Sequence, residues 1–275
     1  MIALDQGGRS TGWVSEHPVP GTLAPWIASL VSVRYPPGFI AHDWLVVPDA
    51  SGHVLVGCDA GHGVRARLVG PRSRAVRFCL TRRRWTLCLR LQPGAVSTLA
   101  RAAGRSATGW TDLAVPLRDF VPTPLRRRLD DVAHPSVTHA ALALIRLFDA
   151  WRPYLERVDW RLRGLLRFEA ESASTPSVSG AAAAMGVSER GLRSVVSRQA
   201  GLAPKRLLRI RRLHRAAGSV IGSHRSLSEI AHRVGFTDHA HMVRDFVDLM
   251  GETPSLFRAR GRPGAESYKP TPSLL

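Results

Sequence analysis

SLSEIAHRVGFTDHAHMVRDF, residues 226–246, is punctuated like two helices around a tight turn. Ser226 followed three residues later by Glu229 is a capping box, and it opens onto apolar Ile230, Ala231 and Val234. Gly235 breaks the chain; Asp238 then caps a second helix, HAHMVRDFVDLMG, whose Met242, Phe246 and Leu249 form an apolar stripe. Within that helix His239 and His241 stand two positions apart, roughly 200° around the axis. They cannot chelate one ion from one helix, so one faces away from whatever the other faces.

The same punctuation occurs earlier. A small, polar cluster, Ser172-Ala-Ser-Thr-Pro176, reads as a linker, and SGAAAAMG after it as a short helix stopped at Gly186. Ser188 caps a second helix, SERGLRSVVSRQAG, stopped at Gly201. Pro204 then opens a long one, PKRLLRIRRLHRAAGSVIG. A short helix, a tight turn and a longer helix thus appear twice, over 179–200 and 227–250, with the caps Ser188 and Asp238 separated by 238 − 188 = 50 residues. The helix between the units, residues 204–221, is about 27 Å long. Successive major grooves on one face of DNA lie about 34 Å apart, so a rod of this order permits both second helices to enter adjacent grooves.

Composition points the same way. The 275 residues, 44% of them apolar, suffice for one large or two modest cores. The formal charge is +18, from 39 basic and 21 acidic residues, a field that favours a polyanion. Only Lys205 and Lys269 are lysines; such arginine dominance suits phosphate and guanine contacts and equally reflects a GC-rich coding sequence. Residues 176–260 hold 14 basic against 6 acidic residues, net +8, the denser of two basic regions. Three cysteines, Cys58, Cys79 and Cys88, with no C-x-x-C read as buried hydrophobes of a reducing cytosol. No apolar stretch approaches the ~20 residues of a membrane span, and the N-terminus lacks a secretion signal. A cytoplasmic location is expected.

From Trp26 to Leu91 short apolar runs, WIASLVSV, DWLVVP, HVLVGC, VRARLV, AVRFCL and RWTLCLRL, alternate with turn formers. They predict strands of a compact antiparallel sheet or a cupin-like barrel. In VRARLV, Val64, Ala66 and Leu68 alternate with Arg65 and Arg67, implying one wet face. His42, His53 and His62 fall among these strands, in spacing that suits surface or turn positions better than a metal site. After Pro93 helical spacing takes over in GAVSTLARAA, TPLRRRLDDV, SVTHAALALIRLFDAW and YLERVDWRLRGLLRFEAE.

The residues also carry a resemblance. GFTDHAHMVRDFVDLMGETPSLFR (235–258) resembles the second half of the DNA-binding domain of AraC-family transcriptional regulators, through Gly235-Phe236, Asp238, His241-Met242, Arg244-Asp-Phe246, Gly251-Glu-Thr253-Pro254 and Phe257-Arg258. GVSERGLRSVVSRQAGLAPKRLL (186–208) resembles the first half. Met242 and Val196 stand where larger aromatics are common, and Gly191 inside the first recognition helix costs about 1 kcal/mol relative to Ala. LRLQPGAVSTLARAAGRSATGWTDLAVPLRDF (89–120) resembles a region of actinobacterial AraC-type regulators in which a β-rich module with appended helices precedes the DNA-binding half.

The resemblance implies an α+β chain: a flexible N-terminus over 1–16, a β-rich sensor or association domain with a helical C-terminal part over 17–172, an all-α DNA-binding domain of two helix-turn-helix units joined by a long helix over 173–260, and a flexible tail over 261–275. It places Glu189, Arg190, Arg193 and Ser194 of the first unit, and His239, Ala240, Val243 and Arg244 of the second, on the groove side, with Lys205 and Arg206 on the DNA backbone. Arg193 is the first choice for reading guanine; His241 falls on the back, near Asp245. A sequence-specific regulator of double-stranded DNA without catalysis, cofactor or metal is expected. RNA polymerase, a small-molecule effector and a second copy of the chain are the partners left open. The rivals are an alkyl-accepting DNA-repair enzyme and a non-specific architectural protein. The first lacks its Pro-Cys-His-Arg nucleophile and four-cysteine zinc site, and the second does not need two spaced recognition helices. P-loop and H-E-x-x-H motifs are absent from the sequence.

Overall fold

A computed structural model describes residues 13–38, 40–172 and 176–261. The expected flexible segments therefore fall mostly outside the described residues, as does the middle of the linker. The exception is Trp13–His17, which forms strand β1 on β2 (Ile27–Arg34) in antiparallel register, Ser15 opposite Ser32. Residues 13–16 are thus ordered in a strand, a correction to the flexible reading. β2 offers an open edge, and His17 Nε2 lies 2.8 Å from Ser32 Oγ; the sequence WVSEH has no strong alternation of its own to announce this.

The apolar runs become β3 (Ile40–Val46), β4 (His53–Asp59), β5 (Gly63–Val69), β6 (Val76–Thr81) and β7 (Arg83–Leu91). Between helix α1 (Ala95–Ala102) and the later helices a short strand, β8 (Ala114–Pro116), completes the set. All pairings are antiparallel: a six-stranded sheet in the order β1-β2-β7-β4-β5-β8, and a separate two-stranded ribbon, β3-β6. β7 sits centrally, and its alternation buries Trp85, Leu87, Leu89 and Leu91 on one face. Arg65 and Arg67 point to solvent, as the alternation in β5 anticipates.

Helices α2 (Arg128–Val132) and α3 (Val137–Trp151) close the first core. Leu144, Leu147, Phe148 and Trp151 of α3 join the sheet's buried face in one apolar cluster. Two indoles tie the layers: Trp85 Nε1 donates to the Pro135 carbonyl and Trp26 Nε1 to the Glu156 carbonyl, each at 2.8 Å. α4 (Trp160–Glu171) behaves differently. Its Leu162 and Leu165 pack with the C-terminal helices in a second cluster that also takes Leu45, Val47 and Ala50 from the β3 end. Apolar contact therefore runs across the linker in space.

The second cluster is built by α5 (Val178–Ala184), α6 (Glu189–Ala200), α7 (Pro204–Gly222), α8 (Leu227–Val234), α9 (His239–Met250) and α10 (Pro254–Gly261). α1 packs on α6. Beside it Thr111 Oγ1 donates to the Gly201 carbonyl at 2.6 Å. Gly201 ends α6 with φ +69°, a left-handed conformation, and a Cβ there would stand 2.7 Å from Thr111 Oγ1. Only glycine meets both demands.

Where the sheet meets α7, charge is buried. Asp49, 4% exposed, binds Arg90 through two contacts of 3.0 and 3.1 Å and lies 3.3 Å from His53 Nε2. His214 of α7 donates from Nε2 to the Pro48 carbonyl. Nearby Glu169 of α4, 1% exposed, takes Arg211 Nε at 2.5 Å and pairs with Arg215. Burial pushes His53 down to about 4 against the pull of Asp49, and it lowers His214 also. Burial would raise Asp49, but Arg90 and His53 outweigh it and hold the carboxyl well below its ordinary value. A histidine depressed in the fold contributes stability that is present above its unfolded value of 6.5 and is lost as pH falls toward 4. Urea unfolding at pH 7.5 and pH 5 should show a loss of about 2 kcal/mol from His53 between them. In His53→Gln that share of the pH dependence should disappear.

Candidate nucleic-acid interface

The two helix-turn-helix units are built by the same local rules. Ser177 Oγ accepts from Gly180 N at 3.0 Å to start α5, and Ser188 Oγ from Gly191 N at 3.1 Å to start α6. In the second unit Ser226 Oγ accepts from Glu229 N while Glu229 Oε2 takes Ser226 N at 2.8 Å. Asp238 Oδ1 accepts from His241 N at 2.6 Å to start α9. Each cap satisfies amide groups that the first helical turn leaves unpaired. α6 and α9 are both 12 residues long and both end on a left-handed glycine, Gly201 and Gly251. The 50-residue offset holds at both ends of the pair.

What each helix hides fixes what it shows. α6 buries Leu192, Val195, Val196, Gln199 and Ala200, and exposes Arg190, Arg193 and Ser194. α9 buries Met242, Asp245, Phe246, Leu249 and Met250, and exposes His239, Ala240 and Arg244, with Val243 half-buried. Glu189 is half-buried at the start of α6 and takes Arg193 Nε at 2.8 Å and also Nη2, an i,i+4 pair. The eight recognition-helix candidates thus occupy two corresponding faces. Ser197, Arg198 and Val247 lie exposed on the same faces and were missed; extending the 50-residue correspondence by one turn finds the pair 197 and 247.

His241 sits behind α9. Its Nε2 is 3.1 Å from Arg212 Nη2 and its ring meets Phe236 edge-on. Arg212, 7% exposed, donates to Asp245 Oδ2 at 2.9 Å and lies over the Phe236 ring at 4.3 Å. Arg209 donates to Asp245 Oδ1 at 2.7 Å and to Asp248 Oδ2 at 2.9 Å. The histidine pair therefore divides: His239 faces solvent and His241 serves the packing of α9 on α7.

The two backbone candidates also divide. Lys205 is exposed. Arg206 is half-buried and donates to Asp248 Oδ2 at 3.0 Å and to the Ser73 carbonyl at 2.9 Å. Asp248 also takes Arg74 from the N-terminal part at 2.9 Å, Ala75 N donates to Leu249 O at 2.7 Å, and Glu252 takes Arg77 at 2.8 Å. Partial burial would raise Asp248; Arg209 and Arg206 outweigh it and keep the carboxyl below its ordinary value. Five arginines of α7, at 206, 209, 211, 212 and 215, thus neutralise Glu169, Asp245 and Asp248. Within 176–260 the exposed cations outside these pairs are Arg190, Arg198, Lys205, Arg225, Arg233 and Arg244, while exposed Arg193 is paired with Glu189. Among the described residues no cluster of three or more His, Cys, Asp or Glu could hold a metal, and no helix is long and apolar enough to cross a membrane.

Residues 181–260 match the model of a family described as a helix-turn-helix domain. No curated protein matches the chain. Among solved structures it is similar to a probable AraC family transcriptional regulator from Rhodopseudomonas palustris CGA009, at 26% identity over 38% of this chain and 100% of that one, TM-score 0.34. It is similar also to the DNA-binding domain of AdpA, a global transcriptional factor solved with a target DNA, at 26% identity over 36% of this chain and 84% of that one, TM-score 0.31. ToxT from Vibrio cholerae is similar at 9% identity over 84% of this chain and 97% of that one, TM-score 0.45. The C-terminal region, residues 181–260, is a helix-turn-helix domain.

Asp245→Ala should strand Arg212 as a buried cation beside α9. An expected loss of about 3 kcal/mol or more, read as a lower urea midpoint, should accompany weakened DNA binding. Unchanged stability would show that the pair does not hold α9 in place.

Proposed function

We propose that the chain is a sequence-specific regulator that lays α6 and α9 into successive major grooves of one duplex. Glu189, Arg190, Arg193, Ser194, His239, Ala240, Val243 and Arg244 face the bases, and Lys205 a backbone phosphate. Arg206 joins Lys205 only by leaving Asp248 and Ser73. One observation carries the reading: two 12-residue helices, 50 residues apart, leave their first, second, fifth and sixth positions uncovered or half-covered in both copies. α7, with 19 residues, spans about 28 Å between the units, of the order of the 34 Å groove repeat.

Residues 17–172 act as the part that senses or self-associates, and 173–260 as the part that reads DNA. Support comes from the contacts that reach both units, α1 on α6 and Arg74 on Asp248. A small-molecule effector, a second copy and RNA polymerase are the partners such a layout serves.

Selection of bound sequences from random DNA by the full chain tests the reading. A defined site should emerge, and Arg193→Ala or His239→Ala should relax preference at particular base pairs, each worth about 1–3 kcal/mol. Lys205→Ala should instead weaken all sequences alike and reduce the salt slope by about one. An equal fall on every sequence for all three variants would contradict base reading.

A further inference from the structure

The two recognition helices share a frame but not a chemistry. The open face of α6 is polar and cationic: Glu189, Arg190, Arg193, Ser194, Ser197 and Arg198. The open face of α9 carries Ala240, Val243 and Val247 between His239 and Arg244. At 100° per residue, positions 243, 247 and 240 fall about 40°, 80° and 100° from His239, one narrow stripe. Val247 lies near its centre and is 49% exposed.

The fold does not ask for this stripe. Met242, Phe246, Leu249 and Met250 already complete the buried side of α9, and the position matching Val247 in α6 is Ser197. No described segment of the chain covers the valine. The stripe is continuous with the face proposed to enter the groove, and Arg244 beside it supplies the cation a phosphate-lined groove favours. In the major groove the apolar feature that distinguishes one base from another is the thymine C5 methyl, whereas guanine presents O6 and N7 to an arginine fork. On α6 Glu189 holds Arg193 by Nε and Nη2, which limits its rotamers and leaves the Nη1–Nη2 end free to pair with one guanine.

We infer that the DNA site consists of two unlike halves, a guanine-bearing half under α6 read by Arg190 and Arg193, and a thymine-bearing half under α9 read through its methyl groups by Ala240, Val243 and Val247. The inference rests on the docking proposed above and specifies what that docking recognises. The halves lie about one helical turn apart, roughly 10 base pairs centre to centre.

The test uses the full chain and a site selected from random DNA. Each thymine of the selected site is replaced singly by deoxyuridine, which removes the methyl and keeps the base pair. Binding should weaken about three- to fourfold per contacted thymine, and only in one half. In the other half, 7-deazaguanine should cost about tenfold. Val247→Ser, a change at an exposed position, should remove the deoxyuridine effect at the thymine it contacts while the effects at the other thymines of that half and the 7-deazaguanine effect in the other half remain. Deoxyuridine that is neutral throughout, or two halves of the same composition, would overturn the inference while leaving sequence-specific binding intact. Equal affinity for all sequences would instead remove the docking itself and the inference with it.

Discussion

The Asp245 carboxylate is the constraint on which the helix-turn-helix half depends. It is 3% exposed on α9 and takes Arg209 and Arg212 from α7 at 2.7 and 2.9 Å. A carboxylate so deep is tolerable only because both oxygens are occupied by cations that themselves need an anion. This fixes the roll of α9 about its own axis. Met242, Phe246, Leu249 and Met250 set which side of the helix is covered; apolar contact is non-directional, and the directional charge pair fixes the remaining freedom of roll. His241, placed against Arg212 and Phe236, continues the same clamp.

Much of this was legible in the sequence, because capping and helix termination are local. Ser188, Ser226, Glu229 and Asp238 act as the caps their spacing announces, and Gly201, Gly235 and Gly251 adopt the left-handed geometry that stop signals require. The stripe Met242, Phe246 and Leu249 is buried as its spacing demands, and His241 turns away from His239. The strands from Trp26 to Leu91 were equally open to reading, since Val and Leu runs between turn formers report burial residue by residue.

What escaped depends on partners far away in sequence. The dense positive charge of residues 176–260 looks like one anion-binding surface, yet five arginines of α7 spend themselves on Glu169, Asp245 and Asp248. An arginine's residue type does not say whether it meets water, phosphate or a carboxylate. Arg206 shows this most plainly, because its partners are Ser73, 133 residues back, and Asp248. β1 and β8 are short edges whose pairing is dictated by neighbours rather than by their own pattern. α4, assigned by sequence to the N-terminal part, gives Leu162 and Leu165 to the second cluster because spatial packing ignores the linker.

The N-terminal part consequently touches both helix-turn-helix units, through α1 on α6 and through Arg74, Ala75 and Arg77 on α9 and its C-terminal turn. In the proposed function the two helices, held in this frame, meet one face of one duplex together. Inserting base pairs between the two halves of a bound site measures this directly. Five added base pairs, about half a helical turn, should reduce affinity to near that for a single half, and ten should restore much of it. Affinity unchanged by five base pairs would mean that the units bind independently, and the frame described here would not govern recognition.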